Sequence, residues 1–249
     1  MLKTLGVVDA CRESCRSRPK MARKLGGKSV LEWVVRRATD CQRLDGVIVV
    51  ACPGPDERVL SGLVPLDVPV FVGRAGDPLG CLAGALEEYP TEAAVRIGAD
   101  SPFVDPTLVD RLVRDADVHP ECDYVGYGSR DGQPAILSPV GLYAEWFRSA
   151  ALHRAAKRAR AAADRQQPTR YLYSHPEKFH VRLIPAPERI DRDDVRLRVD
   201  IEEDWEHTLA IFEAIGPDEM DWQRIADLLV HQPGLRNRMA ALNRARARN

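Results

Sequence analysis

Two aspartates carry the most chemistry in this sequence. Asp100 lies in Arg96-Ile97-Gly98-Ala99-Asp100-Ser101-Pro102, and Asp200 in Arg198-Val199-Asp200-Ile201-Glu202-Glu203-Asp204. Each follows a run that reads as a strand, so each is expected at a strand's carboxyl end, where open α/β sheets build binding crevices. Two carboxylates at one crevice suit a hard divalent cation, and such a cation suits a triphosphate. A basic segment, Asp9-Ala10-Cys11-Arg12-Glu13-Ser14-Cys15-Arg16-Ser17-Arg18-Pro19-Lys20, leaves the first expected strand. There Arg16 can grip phosphate oxygens through its planar fork, Lys20 supplies a point charge and Ser14 a hydroxyl donor. From Asp9 onward the first glycine is Gly26, so this is not a Walker-type loop built on backbone amides. Acid pair and basic loop together point to nucleotidyl transfer. Singly, each has a plainer reading: a strand-end aspartate also forms turns or caps helices, and a cationic loop is also simply a solvated one.

The elements that must position these groups follow from periodicity. Residues 4–10, 47–52, 68–73 and 93–99 read as strands, and 29–38, 78–89 and a stretch opening at Pro106 as helices. Asp105-Pro106 reads as a cap and helix start. This alternation argues a parallel-type sheet with helices on both faces. Residues 126–144 break the rhythm and read as an inserted loop or hairpin, a common carrier of substrate contacts. Beyond it, 145–164 reads as one long helix, 179–184 and 195–199 as late strands, and 202–215, 221–230 and 234–245 as helices. The domain expectation is 1–215, followed by a helical appendage over 216–249.

With 249 residues and a formal charge of −1, the chain can bury a sizeable core and projects no global field toward nucleic acid or membrane. The basic stretches 151–170 and 234–248 lack interleaved aromatics. No apolar run is long enough to span a bilayer, no signal-peptide core opens the chain, and a cytoplasmic setting is expected. The six cysteines form no CxxC pair and are expected to be reduced or buried thiols.

Ordered motifs along residues 4–215 resemble the cytidylyltransferases of spore-coat polysaccharide biosynthesis, relatives of the enzymes that make CMP-activated sialic acids and KDO. Residues 9–33, ending Leu25-Gly26-Gly27-Lys28-Ser29-Val30-Leu31-Glu32-Trp33, are similar to that family's opening. The resemblance continues through Val72-Gly73-Arg74-Ala75-Gly76-Asp77-Pro78-Leu79, through 95–106, through Pro139, Gly141 and Glu145, through 165–179, and through 197–205. It implies a mostly parallel, Rossmann-like nucleotidyltransferase sheet of the nucleotide-diphospho-sugar transferase type, with an inserted substrate or dimerisation loop. It also implies Mg²⁺ on Asp100 and Asp200, catalysis by Arg16, Lys20 and Asp100, and nucleotide contacts from Val8, Asp9, Ala10, Ser14, Arg16, Lys20, Asp77 and Arg96. Pro139, Gly141 and Glu145 would face the acceptor sugar. The implied substrates are CTP and a sugar; a homodimer is implied, and no nucleic-acid or membrane partner. Four departures stand out: Cys11 and Cys81 replace family arginines, Glu13 a glycine, and Gln166-Gln167-Pro168 a Glu-His-Val. They keep open a homologue that binds nucleotide or sugar without turnover. A glycosyltransferase of related architecture would usually carry a D-x-D metal motif, and neither Asp100 nor Asp200 stands in one.

Overall fold

The computed structural model describes residues 2–11, 18–53 and 60–247. Its centre is a seven-stranded sheet. The strands are β1 (Leu2–Asp9), β4 (Gly46–Ala51), β5 (Val70–Val72), β6 (Thr91–Gly98), β7 (Tyr124–Gly128), β8 (Glu145–Arg148) and β9 (Val181–Pro185), in the order β5-β4-β1-β6-β8-β7-β9. β1 pairs in parallel with both β4 and β6, and β7 with β9, while β8 runs antiparallel to β6 and β7. A separate two-residue ribbon joins β2 (Lys24–Leu25) to β3 (Lys28–Ser29). After β1 the chain builds outward to β5, then returns to place β6 on β1's other side. The carboxyl ends of β1 and β6 therefore flank a switch point, the place where such sheets bind ligands.

Side chains alternate across the sheet as a two-sided core requires. On β1, Val8 packs toward one face and Leu5 and Val7 toward the other. The first face is covered by α2 (Val30–Thr39) and α4 (Pro106–Val118). α2 presents Val30, Leu31, Val34, Val35 and Ala38, and its cap is Ser29, whose Oγ accepts from Glu32 N at 3.0 Å. The second face is covered by α3 (Pro78–Glu88) and α5 (Ser149–Arg158). Two short helices, α6 (Ala162–Gln166) and α7 (Arg170–Tyr173), come next, and after β9 follow α8 (Glu202–Ile215), α9 (Trp222–His231) and α10 (Pro233–Ala247). Ile211, Ile225, Leu229 and Met239 from them join the first-face core.

Two expected elements are corrected. Residues 145–164 are not one helix: Glu145–Arg148 is strand β8, and helix begins at Ser149 and gives way at Ala159. Pairing with both β6 and β7 outweighs the local helix propensity at 145–148. The 195–199 segment is extended but joins no sheet. Its amides instead meet single carbonyls of two other segments, Leu197 N to Pro139 O at 3.1 Å and Val199 N to Asp100 O at 2.8 Å.

Asp105 ties two layers together. Its Oδ1 accepts from Thr107 N and Leu108 N, capping α4, while Oδ2 accepts from Trp222 N at 2.9 Å, at the start of α9. The carboxylate is 1% exposed. Losing a cap costs about 1 kcal/mol, and an orphaned buried amide about 1–3. Asp105→Ala is expected to lower stability by about 2–4 kcal/mol, read as a lower urea midpoint, and Asp105→Asn by clearly less.

Candidate active site

The site forms where the chain crosses the carboxyl ends of β1 and β6. β6 ends at Gly98, and a tight turn follows, with Ser101 N donating to Gly98 O at 3.1 Å. That turn presents Asp100. The Val199 N to Asp100 O hydrogen bond sets the second acidic station beside the first. Gly141 makes room for it. It sits at φ +70°, and an added Cβ would lie 2.4 Å from Arg198 Cγ and 2.8 Å from Arg198 N, so only glycine lets the 138–141 turn lie this close.

Each aspartate has cationic company. The Arg198 guanidinium reaches Asp100 Oδ2 from Nη2 at 2.7 Å and from Nε at 3.2 Å. Burial pushes Arg198's pKa down, but the charge of Asp100 and then that of Asp200 outweigh it and hold the pKa above its ordinary value. Both carboxylates thus act on one guanidinium. Asp200 pairs with Arg246 of α10, and Arg196 Nη2 lies 3.7 Å from its Oδ2. Lys20, on the single turn α1 (Arg18–Met21), donates from Nζ to Asp200 O at 2.6 Å. The two carboxylates remain accessible, with side-chain exposures of 16% for Asp100 and 35% for Asp200.

Asp204 fixes the second station from below. Its carboxylate is fully buried, and Oδ2 accepts from Asp200 N and Ile201 N, both at 2.9 Å. Arg196 forks onto it at 2.5 and 2.9 Å. It therefore does more than favour a helix dipole from the first turn of α8: it sets the main-chain direction at Asp200.

Beneath the crevice lies a buried ionic cluster. Arg96 on β6 is the direct cross-strand neighbour of Glu145 on β8. It donates from Nε to Asp9 Oδ2 at 2.7 Å and from Nη1 to Glu145 Oε1 at 2.5 Å. Tyr124 and Thr169 hydroxyls also donate to Glu145, at 2.7 and 2.6 Å. Burial would drive the Arg96 pKa down, yet the two carboxylates hold it above the ordinary range. Burial, and then the Glu145 charge, push the Tyr124 phenol well up.

These contacts revise several expected roles. Glu145 has no exposed surface, so it braces Arg96 and does not face a sugar. Arg96 and Asp9 are committed to each other, with Arg96 in the floor of a crevice also lined by Gly98, Asp100, Ser138, Gly141 and Arg198. Val8 and Ala10 are sealed in the core; Ala10 N donates to Val50 O and Asp9 O accepts from Ala99 N, so they support the crevice from within. Asp77 caps α3 through Gly80 N at 3.0 Å and pairs with Arg165 through both oxygens. Burial opposes ionisation, but those bonds keep its pKa low and make it a brace for α3. Pro139 holds the 195–200 segment through its carbonyl. Ser14 and Arg16, with Glu13, lie outside the described residues. Sequence reasoning missed Arg198, although it stands two residues before Asp200 in the same motif.

Two of the cysteines depart from expectation and three agree with it. Cys11 and Cys52 are disulfide-bonded, and Cys41, Cys81 and Cys122 are buried free thiols.

A mostly parallel sheet with a switch-point crevice, and two acidic segments brought side by side there, is the architecture of the nucleotidyltransferase class. Comparison with known proteins agrees. Residues 13–171 match the MobA-like NTP transferase domain, and the chain belongs to that family. It is 26% identical over 219 residues to the spore coat polysaccharide biosynthesis protein SpsF of Bacillus subtilis, covering 85% of this chain and 87% of that one. The fold superposes on a cytidylyltransferase from Leptospira borgpetersenii with a TM-score of 0.80 at 20% identity, covering 94% and 97% of the two chains. It also superposes on a CMP:2-keto-3-deoxy-manno-octonic acid synthetase solved with CTP, at a TM-score of 0.62 and 14% identity, covering 85% and 99%. The resemblance read from the sequence is upheld. No helix among the described residues is long and apolar enough to cross a membrane.

Removing the Asp204 carboxylate would strip buried Arg196 of its close partner, leaving the 3.7 Å approach to Asp200 and a long contact to Asn243, and would leave two amides without acceptors. Asp204→Ala is expected to cost about 3–5 kcal/mol, measured by equilibrium unfolding. Asp204→Asn, which can still accept from both amides, should cost less.

Proposed function

We propose that this chain is a Mg²⁺-dependent cytidylyltransferase that activates a sugar for surface polysaccharide synthesis. The observation that carries this reading is the convergence of Asp100, Asp200 and Lys20 through the Val199 N to Asp100 O and Lys20 Nζ to Asp200 O bonds. The names of its relatives, a spore coat polysaccharide protein and two cytidylyl-transferring enzymes, support the nucleotide and the setting.

The donor set fits a hard divalent cation: partly exposed carboxylate oxygens on two adjoining segments. Asp100 and Asp200 would hold it, and when bound it would offset the charge that builds on phosphate oxygens. In the proposed reaction a sugar oxygen attacks the α-phosphorus of CTP, and the bond to the bridging oxygen breaks as pyrophosphate departs. Lys20, with Arg16 of the basic segment, would neutralise the departing phosphates. Arg198 would steady Asp100 in the absence of nucleotide and share the carboxylate's charge when nucleotide enters. The rim formed by Ser138 and Gly141 would receive the acceptor. Catalysis would rest on positioning and electrostatics.

The test couples binding to turnover. CTP with Mg²⁺ at about 100 times its Kd should stabilise the chain by about 2.7 kcal/mol, read as a rise in Tm. Asp100→Ala and Asp200→Ala should each remove the Mg²⁺-dependent part of that rise. Each should also cut pyrophosphate release by at least about 100-fold. A Mg²⁺-dependent shift that survives both substitutions would refute the metal assignment. A shift with no pyrophosphate release under any sugar would instead identify a binding homologue.

A further inference from the structure

Three sulfur atoms meet beside the site although their residues are far apart in sequence. Cys11 follows β1 and Cys52 follows β4, and the sheet register makes them neighbours. Asp9 lies opposite Val50, and carrying that pairing two residues onward sets Cys11 opposite Cys52, with a Cα–Cα distance of 4.7 Å. Cys81, in the first turn of α3, brings its Sγ to 3.2 Å from Cys52 Sγ. The approach depends on Gly73, where an added Cβ would lie 2.4 Å from Cys81 Sγ. The Asp77–Arg165 pair holds that end of α3 in place.

We infer that Cys11, Cys52 and Cys81 form, in the reduced chain, a binding site for a soft, thiophilic d¹⁰ cation such as Zn²⁺ or Cu⁺. All three side chains are buried, and their sulfurs lie within 4.8 Å of one another. Val50, Leu79 and Leu82 belong to the apolar cluster around them. Thiolates in apolar surroundings select soft ions over the hard ion suited to Asp100 and Asp200. A lone thiolate is unfavourable in such apolar surroundings, and a bound cation would supply the missing compensation.

The disulfide sets the condition for loading. A dithiol reductant cleaves the Cys11–Cys52 S–S bond, leaving two thiols and becoming a cyclic disulfide itself. Metal binding then breaks three S–H bonds, forms three metal–sulfur bonds and releases three protons to solvent. Because Cys11 lies two residues beyond β1, the site would clamp the tips of β1 and β4 to the first turn of α3.

The test uses the full-length chain, reduced with dithiothreitol and freed of it under anaerobic conditions. Zn²⁺ is titrated in competition with a chromophoric chelator, and Cu⁺ in competition with bathocuproine disulfonate; the arm that retains metal identifies the ion. One equivalent per chain is expected, with a thiolate charge-transfer band in the ultraviolet, and none in the oxidised chain. Cys11→Ser, Cys52→Ser and Cys81→Ser should each weaken retention by at least about 10-fold. Cys41→Ser and Cys122→Ser should leave it unchanged. The proposal is overturned if the reduced wild-type chain holds neither ion against its competitor, or if Cys81→Ser holds metal as tightly as the wild type.

Discussion

One main-chain hydrogen bond, from Val199 N to Asp100 O, makes two distant parts of the chain into one site. It spans about a hundred residues of sequence, so its formation carries a loop-closure cost that no local preference repays. Its neighbours supply the compensation. Leu197 donates to Pro139, Gly141 leaves space for Arg198, and Asp204 receives the Asp200 and Ile201 amides. Val195, Leu197 and Val199 are buried, and the Leu197 and Val199 amides also carry the hydrogen bonds, so burial and hydrogen bonding anchor the segment at the same residues. The carboxylates of Asp100 and Asp200 then extend from a backbone with little freedom. Positioning of that kind is what a phosphoryl-group reaction demands, because the protein contributes geometry and field more than covalent chemistry.

The charge arrangement beneath the site has a different logic. Asp9, Arg96 and Glu145 are almost completely buried, and desolvating three ionic groups is costly unless each is well partnered. Here they are: Arg96 serves both carboxylates, while Tyr124, Thr169 and the Cys11 amide supply further donors. Removing one member would strand the others, so the cluster pins β1, β6 and β8 in one register. It explains why three residues with substrate-like chemistry are withdrawn from the surface. The crevice owes its floor to Arg96, whereas Asp100 and Arg198 line it with charge.

The parts legible in the sequence were those in which local pattern and tertiary role agree. β1, β4 and β6 are apolar runs buried on both faces, and α2 and α4 carry clean apolar stripes beneath recognisable caps, Ser29 and Asp105. The convergence of Asp100 and Asp200 was legible only through motif order. The losses came where tertiary contacts override local preference. Glu145-Trp146-Phe147-Arg148 runs directly into an alanine-rich helix, and nothing local says that β6 and β7 will claim it as a strand. The 195–199 run was read as a strand, but nothing local says whether an amide will meet a sheet ladder or a single carbonyl. Arg96 and Asp77 were recognised as important without their partners, since Glu145 and Arg165 lie far along the chain.

The cysteines show the same limit most sharply, because spacing in sequence and spacing in a sheet are different quantities. Cys11 and Cys52 are separated by 41 residues, which matches no ligand or redox motif. The same offset relates Asp9 to Val50 across the β1–β4 ladder. Once that register is known, the pairing of Cys11 with Cys52 follows from strand geometry, since side chains at matching positions on adjacent strands share a face. Cys81 joins them because α3 begins beside the tip of β4 and Gly73 offers no side chain to hold it away. The two positions where arginines were expected thus share one apolar pocket with a third thiol. Arginines there would need carboxylates or phosphates as partners, whereas sulfur can be buried in that pocket without a charge. Cys11 and Cys81 are therefore intelligible as neighbours in space and opaque as two separate departures along the chain.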